Sequence, residues 1–139
     1  MRVLLDTCVI SELNRSGADA RVRAAVAALQ PEETFLSVIT IGEVVKGVLR
    51  LPRGPKRTGL EAWVHSLDRQ FAQRILHVDR DTAQLWAEIC ATGETRGWVP
   101  PPADGLIAAT AIQHGLRIYT RNVKDFALTG AMLVNPWKA

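Results

Sequence analysis

A chain of 139 residues, 47% hydrophobic and 22% charged, is long enough for one domain with a real core and too balanced in composition to be disordered. No window approaches the ~20 consecutive apolar residues of a membrane span, and Arg2, Asp6 and Glu12 break any signal-peptide core, so a cytoplasmic protein with no membrane partner is expected. The net charge of +3 permits a polyanionic partner without requiring one, and Cys8 and Cys90, far apart and outside any CxxC pair, point to neither a zinc site nor a disulfide framework.

In chain order, Val3-Leu4-Leu5 is a short continuous apolar run, the form of a strand covered on both faces. Val22, Ala25, Val26 and Leu29 then recur at helical spacing within 19–29. Residues 34–38 are rich in β-formers and predict a second strand, followed by a helix carrying Ile41, Val44, Val45, Val48 and Leu49 on one side. Pro52 to Gly59 reads as a basic loop punctuated by Pro and Gly. Leu60, Val64, Leu67 and Phe71 predict a helix over 60–71, and 75–78 a third strand. Asp81 and Thr82 are candidate caps for a helix carrying Leu85, Trp86, Ile89 and Cys90, stopped by Gly97. After a run of prolines, 103–114 is helical up to Gly115, and 117–120 and 131–134 close the chain as strands four and five. Strands alternating with helices predict a single α/β domain over 1–139, a central parallel five-stranded sheet flanked by helices.

In such a sheet, ligands bind outside the carboxyl ends of the strands. Asp6 ends the first strand, Glu43 lies early in the helix after the second, Asp104 opens the helix before the fourth, and Asp125 follows the fourth. A parallel sheet gathers all four at one edge. Two like charges ~4 Å apart repel by about 1 kcal/mol in water and about 4 at an effective dielectric of 20, so the group calls for protonation or for a divalent cation with hard oxygen ligands, magnesium or manganese. Each acid alone has a plainer role: Asp6 or Asp104 as a helix cap or dipole partner, Asp125 as a turn residue. Glu43, between Gly42 and Gly47, faces a surface free of bulk.

The segments LLDTCVISE, SVITIGEVVKGV, PPADGLIAATAIQHG and TRNVKDF, with a closing NPW, together resemble the PIN-domain toxins of the VapC type, most closely the FitB-like branch. The resemblance covers nearly the whole chain. It implies a small α/β nuclease that cleaves RNA with Mg2+ or Mn2+ held by an acid quartet, which maps here onto Asp6, Glu43, Asp104 and Asp125, with Thr120 and Asn122 as polar residues of the same pocket. It further implies the toxin of a type II toxin–antitoxin system, paired with a cognate antitoxin, reaching promoter DNA only through that complex, and forming a homodimer. The family commonly has a polar residue, often Asn, two positions after the first Asp. Here that position is Cys8, a poor magnesium partner expected to act as a small buried apolar group.

Arg50, Arg53, Lys56 and Arg57 are candidate RNA contacts on charge, and Trp98 a candidate stacking residue also readable as packing. His65, His77 and His114 share no spacing with a partner acid and read as structural. A different class of function keeps the fold without catalysis: a PIN-like subunit whose acids hold an antitoxin or whose surface binds nucleic acid. A phosphatase or receiver-like protein is disfavoured, since DTCV offers no DxD.

Overall fold

The computed structural model describes residues 1–138. Five parallel strands, β1 (Val3–Leu5), β2 (Thr34–Ser37), β3 (Ile75–Leu76), β4 (Arg117–Tyr119) and β5 (Leu133–Val134), form one sheet in the order β3-β2-β1-β4-β5. Helices α1 (Thr7–Leu13), α2 (Ala20–Ala27), α3 (Val38–Leu49), α4 (Pro55–Gln70), α5 (Arg80–Thr95), α6 (Pro102–His114) and α7 (Val123–Phe126) make the crossovers. Alternation along β1 splits the core. Val3 and Leu5 join Val9, Val22, Leu67, Phe71 and Trp137 on one face, while Leu4 joins Ile107, Leu116, Ile118 and Phe126 on the other. Each face is therefore covered by helices, which is what a parallel sheet requires. Among the described residues no helix is long and apolar enough to cross a membrane.

The strand order reverses between β1 and β4, the place where an open α/β sheet leaves a crevice at its carboxyl edge. Register holds that junction tightly: Leu5 pairs with Tyr119, and the Asp6 amide donates to the Tyr119 carbonyl at 3.0 Å.

Several boundaries differ from the sequence expectation, for local reasons. The basic loop is half helix, because Pro55 sits at the first turn of α4, where a missing N–H costs nothing. Asp79, not Asp81 or Thr82, caps α5; its carboxylate accepts from the Thr82 amide and hydroxyl, each at 2.9 Å, while Asp81 lies in the first turn. Strands β3 and β5 are two residues long rather than four. β2 stops at Ser37, whose hydroxyl accepts from the Ile39 amide and starts α3 without a loop.

Candidate active site

Asp6 is the most constrained of the acids. It follows β1 in extended conformation, occupies the N-cap position of α1, and is 4% exposed. Its carboxylate makes no capping hydrogen bond to α1. It turns across the crevice instead, where the Thr120 hydroxyl at the end of β4 donates to Asp6 Oδ2 at 2.7 Å. The capping role open to Asp6 from sequence is thus not the one its side chain performs. Thr120 also accepts the Asn122 amide at 3.0 Å, while Asn122 itself is solvent-exposed at the N-cap of α7.

Glu43 projects from the second turn of α3, and the Thr7 hydroxyl donates to its Oε1 at 2.7 Å. Consecutive residues of one segment, Asp6 and Thr7, therefore place two of the acids, one directly and one by a hydrogen bond. Asp104 lies in the first turn of α6, half-buried, and no described residue donates a hydrogen bond to it. Burial, reinforced by the charges of Asp6, Asp125 and Glu43, pushes its carboxyl up to about 6. Asp104 thus feels the charge of each of the other three acids, of which Asp125, on α7, is exposed. Among the described residues no three acids, thiols or imidazoles are already drawn into a closed ligand cluster.

Cys8 is not the inert apolar group expected from sequence. It is half-buried, and its thiol lies 3.5 Å from Asp6 Oδ2 as donor, 3.6 Å from the Thr120 hydroxyl, and accepts the Arg121 amide at 3.4 Å. Burial, ahead of the other influences, raises the thiol above its ordinary value and keeps it protonated, so it donates rather than competes as an anion.

A hollow of about 280 Å³ adjoins Glu43, lined by Thr7 and Ser11 of α1, by Asn14 just after it, and by Val48, Leu60 and Trp63. Gly47 lines it too, and a Cβ there would meet nothing within 4 Å, so the surface beside Glu43 is open. It shares Asn14 and Trp63 with a larger hollow of about 760 Å³, which includes Ile10, Leu29, Leu67 and Phe71 and none of the four acids.

The basic residues singled out from sequence are not brought to the acids by any hydrogen bond or ion pair. Arg57 donates to the Leu51 carbonyl at 3.4 Å and pairs with Glu61 at 3.6 Å; with Arg53 it lines a separate hollow at the start of α4. Arg50 ends α3 seven residues after Glu43, about 10 Å along the same helical side. Lys56 is exposed on the first turn of α4. Trp98 is packing: its carbonyl and ring close on Gly93 of α5. The residue that sequence reading passed over is Arg121, between Thr120 and Asn122, whose guanidinium lies over the Trp137 ring at 5.2 Å. It stands inside the TRNVKDF segment, of which only Thr120, Asn122 and Asp125 were singled out.

The family model for the PIN domain matches residues 3–130. The VapC ribonuclease Y4jK of Sinorhizobium fredii is 36% identical over 137 residues, with 98% of each chain covered. Toxin FitB of Neisseria gonorrhoeae is 40% identical over 136 residues, covering 97% of this chain and 98% of the relative. Among solved structures, FitAB bound to an IR36 DNA fragment superposes with a TM-score of 0.92 at 38% identity, covering 99% of this chain and 96% of that one. DNA-bound VapBC from Salmonella typhimurium shares the fold, with a TM-score of 0.81 at 22% identity over 98% of each chain.

Proposed function

The chain belongs to the PIN-domain family, as a VapC-type ribonuclease toxin of a type II toxin–antitoxin system, and we propose that it hydrolyses RNA phosphodiester bonds with a divalent cation bound at Asp6, Glu43, Asp104 and Asp125. The observation that carries this reading is the condition of Asp104: a carboxyl without a hydrogen-bond donor among the described residues, raised to about 6 by burial and by the other three acids. A half-buried carboxyl beside three other acids, with no donor to stabilise its charge, is one that a magnesium or manganese ion would relieve. When bound, such an ion would polarise the scissile phosphate, make water a stronger nucleophile, and offset charge on the departing oxygen.

The chain's own residues supply position. Asp6, locked by Thr120 and Cys8, and Asp104, at the positive end of α6, would hold the cation. Glu43, fixed by Thr7, and the exposed Asp125 either complete the ligand set or orient the attacking water. The strand enters over the open surface at Gly47, and Arg50, Arg53, Lys56 and Arg57 extend a positive path beyond it.

A cognate antitoxin is the expected protein partner, with promoter DNA engaged only by the complex. The two hollows that share Asn14 and Trp63 support this: an apolar segment seated in the larger one would lie beside the smaller, which Glu43 lines. The test is to incubate the partner-free protein with unstructured and hairpin RNA in magnesium, manganese or EDTA. Cleavage of the unstructured RNA in either metal and none in EDTA is expected. Persistence in EDTA would remove the cation from the mechanism, and a folded protein inactive in every metal would favour the non-catalytic alternative.

A further inference from the structure

Three arginines lie over aromatic rings: Arg2 on Phe35, Arg74 on Phe71 and Arg121 on Trp137. Two of them direct their donors inward. Arg2 donates to the His114 carbonyl, and Arg74 to the carbonyls of Pro31, Thr34 and Gln70. Arg121 differs: its side chain is exposed and makes no hydrogen bond or ion pair with any described residue.

Its location makes this freedom chemically odd. The Arg121 amide donates to Cys8 Sγ at 3.4 Å, and that sulfur is 3.5 Å from Asp6 Oδ2, so Arg121 springs from the backbone two short contacts away from an acid. A guanidinium on a flexible stem beside carboxylates would ordinarily fold onto them and neutralise the site. The Trp137 ring, 7% exposed and built into the core, holds it aside at 5.2 Å, inside cation–π range. The donors therefore stay available to an anion arriving from solvent, next to a centre whose own charge repels polyanions.

We propose that Arg121 binds a backbone phosphate of single-stranded RNA at the lip of the acid site, with Trp137 as the residue that positions its guanidinium. This rests on the ribonuclease reading above. A planar fork of donors matches a phosphate bidentately, which an ammonium does not. Arg121 thus strengthens RNA binding without touching the bond that breaks.

The test compares the wild-type chain with Arg121→Met, which keeps an unbranched stem against Trp137, and Arg121→Lys. Dissociation constants for a fluorescein-labelled, mixed-sequence single-stranded oligoribonucleotide are measured in EDTA between about 50 and 200 mM KCl, and kcat and KM in magnesium. Loss of one phosphate contact on a single strand should lower the slope of log Kd against log salt by about 0.7 in Arg121→Met. KM should rise with kcat nearly unchanged, melting temperature should hold, and Arg121→Lys should fall between. A wild-type protein that neither binds nor cleaves RNA overturns the ribonuclease reading and this inference with it. Cleavage by wild type with equal slopes in wild type and Arg121→Met overturns the inference alone. So does a loss confined to kcat or to melting temperature.

Discussion

At Asp104 the needs of stability and of the site oppose each other. With a folded-state carboxyl raised to about 6 from an ordinary 3.8, the native protein binds a proton that the unfolded chain releases between those values, so this group's effect on stability worsens as pH rises through about 6. Asp104→Asn mimics the protonated form. The cation-free variant should therefore melt above wild type at pH 7, with the gap closing as pH falls to about 4. The wild type-to-variant difference isolates this effect from surface acids such as Asp19, lowered to about 2 by Arg21, whose contribution is lost at lower pH. The same variant should lose cleavage and the magnesium-induced rise in melting temperature. Were Asp104 only a dipole partner in the first turn of α6, Asn would serve nearly as well, within roughly 1 kcal/mol. Full activity with an unchanged magnesium shift would remove Asp104 from the site. Asp6 and Asp104 stood out in the sequence because they fall at a strand end and a helix start, and Glu43 and Asp125 because they follow strands two and four. The roles of Cys8 and Arg121 did not, because both depend on β4 lying beside β1, a pairing across 114 positions in the Thr120–Asp6 contact.

Elements were legible where periodicity is long and obscure where one residue decides. The apolar spacing of α3 and α5 announced those helices, while the start of α4 turned on Pro55, a residue that reads equally well as a loop signal. The strands were legible as apolar runs but overextended by one or two residues, since the paired length is set by neighbours rather than by propensity. Helical glycines divide by the same principle. A Cβ on Gly93 near the end of α5 would fall 2.4 Å from the Trp98 carbonyl oxygen, a backbone atom on the segment leading to α6. Gly59 in α4 has nothing within 4 Å. Gly93→Ala should cost about 1–3 kcal/mol by overpacking and disturb the approach to Asp104, whereas Gly59→Ala should gain about 0.5–1 kcal/mol from helix propensity. Urea unfolding of both variants checks this; equal shifts of the two midpoints would mean the contact at Trp98 yields freely.

For the whole molecule, the parallel order of the sheet closes one route to association and leaves another. Its edges, β3 and β5, are two residues long, too short to template a continuous sheet between copies. On the outer side of α3 and α4, by contrast, Leu49 is 55% exposed and sits with half-buried Val45 and Val64 around an apolar hollow of about 180 Å³. A stable two-fold interface covers about 800 Å² on each partner, roughly a tenth of the 7886 Å² this chain exposes, an area that the outer faces of two helices can supply. Such an interface is self-complementary, so the Leu49 patch of one copy would lie against the same face of the other. We therefore expect a homodimer packed through α3 and α4, and Leu49→Asp should weaken it by placing a charge at the centre while barely affecting the fold, since the side chain is exposed within one chain. Light scattering across a tenfold range of about 10–100 µM, above the micromolar-to-picomolar range in which interfaces of this size associate, reads both proteins. A wild-type mass that stays monomeric at every concentration contradicts the dimer, and a Leu49→Asp protein as dimeric as wild type moves the interface to another face.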